Sequence, residues 1–256
     1  MSGQSSTNTV LGIDIGGSGI KGAPVDLDSG ELAADRVRID TPRPATPAAV
    51  ADVVEQIAEK FSGQIGSSPI GIAIPAVVQN GVARSAANID PTWVDVDVDA
   101  LFTDRLGRPV HVVNDADAAG VAEAKYGAAR SIGGLVILTT LGTGIGSALL
   151  LDGTLIPNSE LGHLELDGRD AETFAAQSAK VRDGLSYVEW AERLQRYYSY
   201  LEGLFWPDLF VVGGGISKKA DAFLPLLDLR TPIVAAQLRN SAGAVGAASL
   251  ADEFGG

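Results

Sequence analysis

The sequence carries the same short unit twice, and that repeat limits what the chain can fold into. Residues 10–30 read VLGIDIGGSGIKGAPVDLDSG. An apolar run ends on Asp14, glycines follow at 16, 17 and 19 with Ser18 among them, and Lys21 comes next. A second apolar run, Ala23 to Leu27, closes on the turn residues Asp28-Ser29-Gly30. Residues 135–154, LVILTTLGTGIGSALLLDGT, repeat the order, with Gly142-Thr143-Gly144-Ile145 standing where Gly17-Ser18-Gly19-Ile20 stands in the first copy. Each copy predicts a β-hairpin with a glycine-rich tip.

Such a tip has two readings. Glycines let backbone N–H groups approach a ligand closely and converge as an anion nest. Ser18 adds a hydroxyl donor, Lys21 a cation, and Asp14 a carboxylate able to hold Mg²⁺, a hard cation that prefers carboxylate and phosphate oxygens. The other reading is a tight hairpin with a solvated acid and lysine. Two such loops on duplicated halves favour the first, in a two-lobed kinase or ATPase.

The rest of the chain alternates strands and helices, which makes it α/β. Residues 1–9 read as a disordered polar tail. A third strand is expected over Arg36 to Asp40, and Thr41-Pro42-Arg43-Pro44-Ala45-Thr46-Pro47 as a stiff extended connector. A helix follows to about Phe61, with Val50, Val53, Val54, Ile57 and Ala58 on one face. Pro69 to Ile74 and Val110 to Val113 are short buried strands, and Asn80-Gly81 marks a hairpin between them. Helices are expected over Asp99 to Leu106 and Asp117 to Tyr126, and two or three more over 171–205. A strand, Leu209 to Val212, runs into Gly213-Gly214-Gly215, and a last helix starts at Ala242. The duplication divides the chain into a small lobe over 10–114 and a large lobe over 115–256, whose last helix can pack back on the small lobe.

Several positions carry chemistry. Asn114-Asp115 ends a strand just before a helix, where α/β sheets place their active sites. An Asp there deprotonates a hydroxyl nucleophile, or the pair simply caps the helix. Glu160-Leu161-Gly162-His163 sets a carboxylate and an imidazole three residues apart beside a glycine. With Asn88 these suit a polyol, because each buried hydroxyl left unpaired costs about 1–3 kcal/mol; a solvated acid and a surface histidine are the plainer alternative. Gly213-Gly214-Gly215 leads into a helix start, which can receive a phosphate.

Composition excludes whole classes. With no cysteine in 256 residues, disulfides and cysteine-ligated metals are out, and two histidines do not make a histidine-rich metal site. A net charge of −13 disfavours broad binding to nucleic acid or anionic membrane. No apolar run approaches the roughly 20 residues of a membrane-spanning helix, and MSGQSSTNT lacks the basic and apolar parts of a signal peptide. A cytoplasmic protein is expected.

Taken together, the motifs resemble the ROK-type sugar kinases of the actin-like ATPase superfamily, and within them the polyphosphate-dependent glucokinases and glucomannokinases of actinobacteria. The carrying segments are GIDIGGSGIKG (12–22), SAANID (85–90), VNDADAAG (113–120), LGTGIGSA (141–148), ELGHLE (160–165), DGRDAET (167–173), LQRYYSYLEGLFWPDLFVVGGGISKK (194–219) and LRTPIV (229–234). The resemblance implies a two-lobed, ribonuclease H-like fold with a mixed sheet in each lobe. It implies Asp115 as the base that takes the proton of a sugar 6-hydroxyl, with Asn88, Asn114, Glu160, His163 and Glu172 hydrogen-bonding the sugar. It implies a first phosphate loop of Asp14, Gly16, Gly17, Ser18, Gly19 and Lys21, and a second of Thr140, Gly142, Thr143 and Gly144. Gly213, Gly214, Gly215 and Lys218 then lie on the donor's distal side. The implied substrates are glucose, with mannose as a second acceptor, and polyphosphate or ATP as donor with Mg²⁺; the implied assembly is a homodimer.

Three departures stand out. Typical members carry a cysteine-rich zinc motif where this chain has DGRDAET, so no zinc site carries over; this is the polyphosphate subgroup's pattern. Ser18 replaces the usual Thr and keeps the hydroxyl. Pro75-Ala76 replaces Pro-Gly, which puts sugar selectivity in question. The rival within the family is an ATP-only glucokinase or mannokinase, or an amino-sugar kinase. A family repressor would need a DNA-reading module ahead of the first strand. A polyphosphate enzyme should also present a track of cations, for which Lys21, Arg169, Lys180, Arg182, Lys218 and Lys219 are the candidates.

Overall fold

In the computed structural model, which describes residues 8–86 and 89–254, the first glycine unit is a hairpin. β1 (Thr9–Gly16) and β2 (Gly19–Asp26) pair antiparallel with Gly16 opposite Gly19, leaving Gly17-Ser18 as a two-residue turn. The tail expected over 1–9 lies outside the described residues as far as Thr7; Thr9 already belongs to β1. Short strands β3 (Glu31–Leu32) and β4 (Val37–Ile39) both pair with β2.

The chain then enters α1 (Pro47–Ile65), four residues longer at its end than the periodicity suggested. Thr46 caps it, its hydroxyl accepting from Ala49 N–H, and Pro47 fills the first turn. Val50, Val54, Ile57 and Phe61 line its buried face and join Ile13, Ile20 and Ile72 in one core. β5 (Ile70–Ile74) follows, buried throughout. Asn80-Gly81, both at positive φ, turns the small hairpin of β6 (Val78–Gln79) and β7 (Val82–Ala83). After α2 (Val98–Leu106) comes β8 (Val110–Asn114), then α3 (Asp115–Tyr126), which begins two residues before the expected Asp117.

The second glycine unit forms β9 (Leu135–Leu141) and β10 (Ile145–Leu151) around a three-residue loop, one residue longer than the first turn. β11 (Thr154–Ile156) continues the meander. The segment 158–170, read as a loop, holds a small hairpin of β12 (Glu165–Leu166) and β13 (Arg169–Asp170). Three helices follow, α4 (Glu172–Ala175), α5 (Gln177–Arg182) and α6 (Tyr187–Phe205), the last opened by a Ser186/Glu189 capping box. α6 buries Trp190, Leu194, Tyr197, Tyr198 and Leu201 in the core beneath Ile137, Phe210 and Val212. β14 (Leu209–Gly213) and β15 (Ile233–Ala235) complete the strands, and α7 (Ala242–Phe254) ends the chain.

The two main sheets repeat one topology. The first runs β3-β2-β1-β5-β8 and the second β11-β10-β9-β14-β15. Each starts with an antiparallel hairpin and adds two parallel strands beside its first strand. The repeat read from the glycine units is therefore a repeat of architecture.

The chain forms two compact units, one running up to Ala118 and resuming at Ser241, the other covering Ala119–Asn240. The division falls inside α3 rather than at Asn114, and α7 belongs with the first unit. The reason is a pair of strand glycines. Gly12 and Gly71 are neighbours across β1 and β5. A Cβ at either would sit 1.9 Å from a carbonyl oxygen of α7, that of Ala244 or Ala247. The helix therefore lies directly on strand backbone, a packing open only to glycine.

Candidate active site

In the first unit the chemistry gathers at the carboxyl ends of the parallel strands, as expected for a sheet of this kind. Asp14, Ala73 and Val113 are register neighbours across β1, β5 and β8, so the three strands end together. Asp14 is half-buried, and Lys21 Nζ stands 3.5 Å from its carboxylate. Burial pushes the Asp14 pKa up; Lys21 and then Arg36 pull the other way without cancelling it. This carboxylate is thus short of positive charge.

The Gly17-Ser18 turn is held from outside. Thr41 Oγ1 donates to Gly16 O at 2.5 Å, and Arg38 donates to Ser18 O at 2.7 Å. Arg38 also lies across Gly19, where a Cβ would come within 2.6 Å of its guanidinium. Gly17 is different. Its φ is outside the left-handed region, and a Cβ there would meet no atom of the described residues within 4 Å. Neither its φ nor packing against the described residues demands glycine at 17.

Asn114 does cap the helix. Its Oδ1 accepts from Ala116 N–H (2.8 Å) and Asp117 N–H (3.1 Å). Its Nδ2 donates to Ala76 O at 3.1 Å, so the side chain also ties the Pro75-Ala76 loop to the strand end. One amide proton remains for a ligand. Asp115 is the first residue of α3 and half-buried. Asn88, expected among the sugar contacts, lies outside the described residues.

In the second unit the Gly142-Thr143-Gly144 loop is clamped by α4 and α5. Ser178 N–H donates to Gly142 O (3.0 Å) and Ser178 Oγ to Thr143 O (2.6 Å). Glu172 Oε2 accepts from Ile145 N–H at 3.1 Å and lies over Gly144, where a Cβ would be 2.3 Å away. One oxygen of Glu172 therefore serves the loop. Glu160 and His163 stand beside it, because Gly162 packs on Ile145, a Cβ there falling 2.2 Å from Ile145 O. Thr140 is the ladder partner of Gly213, and Gly214, at φ +81°, lies against Leu141. The structure thus brings together Thr140, the second loop, Glu160, His163, Glu172 and Gly213-Gly214-Gly215. Lys218 and Lys219 are exposed on the helical turn that follows.

Glu160, His163, Asp170 and Glu172 influence one another electrostatically. Burial raises the Glu160 pKa, with Glu172 adding to the effect and His163 opposing it. Burial alone would lower the His163 imidazole, but its hydrogen bond to Asp170 and the Glu172 and Glu160 carboxylates outweigh that and raise it. The Asp170 contact is 3.2 Å to Nδ1 and fixes the ring, leaving Nε2 on the Glu160 side. Asp170 was not singled out in the sequence; its only signal was its place in DGRDAET. Arg43, Thr41 and Asp90, which line a concavity with Gly16 and Gly17, were legible only as a connector and a loop.

Three of the six cations expected to form a track are engaged elsewhere. Arg169 stacks on Phe174, Lys180 donates to Leu185 O and sits over Tyr187, and Arg182 bonds Asp183 and Thr173 O.

Residues 10–184 match the model of the ROK family. A polyphosphate glucokinase of Mycobacterium tuberculosis is 50% identical over 245 residues, covering 94% of this chain and 91% of its own. The crystal structure of an inorganic polyphosphate/ATP-glucomannokinase from Arthrobacter sp. strain KM superposes with a TM-score of 0.92 at 56% identity, covering 96% of this chain and 99% of that one. A ROK family glucokinase from Streptomyces griseus, solved with glucose and AMPPNP, gives a TM-score of 0.81 at 25% identity, covering 96% and 100%. With the duplicated sheets and their glycine loops, these likenesses make the chain a member of the ROK family.

Proposed function

We propose that this chain is a sugar kinase that transfers the terminal phosphoryl group of inorganic polyphosphate, and of ATP, to the 6-hydroxyl of glucose, giving glucose 6-phosphate. The observation that carries the donor assignment is the 50% identity to a polyphosphate glucokinase across nearly the whole of both chains.

Asp115 takes the proton of the attacking hydroxyl, from the strand-end position that the fold reserves for such a group. Asn114, Asn88, Glu160, His163 and Glu172 hydrogen-bond the remaining hydroxyls. The first glycine turn and Lys21 receive the transferring phosphoryl group; Thr140, Gly142, Thr143, Gly144, Gly213, Gly214, Gly215 and Lys218 bind the phosphoryl donor. Preorganised N–H donors of this kind stabilise the charge of phosphoryl transfer without reorganising.

Magnesium fits the donor set. Asp14 is a half-buried carboxylate whose pKa partial burial raises against the pull of Lys21 and Arg36, and Mg²⁺ is commonly held by one or two carboxylates together with substrate phosphates. Asp14 would hold it, and the ion would supply charge stabilisation on the phosphoryl oxygens. We take mannose as a second acceptor and a homodimer as the working form; sedimentation of the purified protein tests the latter. Among the described residues no helix is long and apolar enough to cross a membrane.

The test is direct. Purified protein, glucose and Mg²⁺ are mixed with nucleotide-free polyphosphate and separately with ATP, and glucose 6-phosphate is measured. Product from polyphosphate is expected; product from ATP alone would overturn the donor assignment, and product from neither would overturn the acceptor.

A further inference from the structure

The connector between β4 and α1 runs past the first glycine turn and is pinned at both ends. Thr41 Oγ1 donates to Gly16 O (2.5 Å), and Nε1 of the fully buried Trp93 donates to Ala45 O (2.8 Å). Between those points Pro42 and Pro44 each lock a backbone torsion. Arg43 sits between the prolines. Its side chain is exposed and makes no hydrogen bond, ion pair or ring contact with any described residue.

Arg38, Arg84, Arg105, Arg182, Arg193 and Arg196 all pair with carboxylates, in a chain with 32 acidic and 19 basic residues. Arg43 instead lines a concavity of about 280 Å³ together with Gly16, Gly17, Thr41, Pro75 and Asp90. Asp90 does not neutralise it; the Asp90 carboxylate accepts from Thr92 N–H (3.0 Å) and Thr92 Oγ1 (2.5 Å). An unpaired guanidinium, held on a stiffened segment beside a glycine whose missing Cβ faces open space, is a site for an anion. The planar fork of arginine suits two oxygens of one phosphoryl group. The concavity has room for a phosphoryl group beside the guanidinium.

We propose that Arg43 binds the phosphoryl group in transfer, the one moiety common to both donors and to the product. The proposal rests on the kinase reading above. Arg43 therefore acts on the step itself and not on the choice of donor.

The experiment is steady-state kinetics of Arg43→Ala and Arg43→Lys with polyphosphate and with ATP, together with product inhibition by glucose 6-phosphate. Because the side chain is exposed and unpartnered, both variants should fold, and circular dichroism checks this. Arg43→Ala should lower kcat/KM for both donors by about 100-fold, the scale of losing one strong charge-stabilising donor. It should weaken inhibition by glucose 6-phosphate by about tenfold and leave the KM for glucose within about threefold. Arg43→Lys, which keeps the charge and loses the fork, should recover only part of the loss. Wild-type kinetics in Arg43→Ala would overturn the proposal. So would a loss confined to polyphosphate, which would place Arg43 on the donor chain, or a change confined to the glucose KM, which would make it a sugar contact. If the unsubstituted protein makes no glucose 6-phosphate from either donor, the kinase reading fails first and this proposal falls with it.

Discussion

Gly17→Ala separates the demands of the fold from the demands of a ligand. A Cβ at Gly17 meets no atom of the described residues within 4 Å, and its φ lies outside the left-handed region that disfavours alanine. The folded state thus loses nothing. The unfolded chain loses freedom, which stabilises by about 0.4–1 kcal/mol. For a chain of this size that is a rise in Tm of about 1–4 °C. A phosphoryl oxygen bound by the turn would have to share that space with the new methyl group. Losing one such donor costs about 10²–10³-fold in rate. The expected result is a variant slightly harder to melt and about 100-fold slower with both donors, read by scanning calorimetry and by glucose 6-phosphate formation. Gly71→Ala is the contrast, since its Cβ falls 1.9 Å from Ala247 O and must push α7 off the sheet; that variant should melt far lower. If Gly17→Ala keeps activity within about threefold of the parent, the turn does not approach the ligand and the reasoning is wrong.

Other outcomes follow from the same geometry. Asp115→Asn should nearly abolish transfer while glucose still binds, measured by titration calorimetry; retained turnover would reassign the base. The chain has only two histidines, so both imidazoles can be followed by NMR. His163 should titrate above the ordinary 6.5 and His111, lowered by burial against the opposing pull of Asp99, below it. His163 therefore stabilises the fold below that ordinary value and ceases to as pH rises through its raised folded value, while His111 weakens the fold as pH falls below 6.5. Asp170→Asn should bring His163 down and leave His111 in place; an unmoved His163 would remove Asp170 as its partner. Reversing charge at Lys218 and Lys219 together should weaken polyphosphate use more than ATP use, and equal loss with both would end the idea of a cation track there.

How much of this was legible in the sequence depends on the range of the forces involved. The two glycine units, the capped start of α1, the Asn80-Gly81 turn and the strand-end Asn114-Asp115 all rest on a few neighbouring residues. Local propensity and periodicity therefore located them, often to within a residue or two. The match between the two sheets followed, because the same local unit was written twice. The double duty of Asn114, which caps α3 and also fastens Ala76, was not legible, since Ala76 is thirty-eight residues away in the chain. The same holds for Glu172 over Gly144 and for the track cations that turned out to be occupied.

The sequence by itself determined the α/β class, the repeat and the positions of the glycine turns, because each follows from backbone freedom and apolar spacing within a short window. Only the tertiary structure decided which glycines serve packing and which stand open. Gly12 and Gly71 look like Gly17 on paper, yet the first two admit the backbone of a helix more than 170 residues further along, and the third has no atom of the described residues to admit. It also decided that Arg43, one cation in a proline-rich connector, is pinned beside that open turn. Contacts between segments distant in sequence carry both distinctions, and no local pattern encodes them.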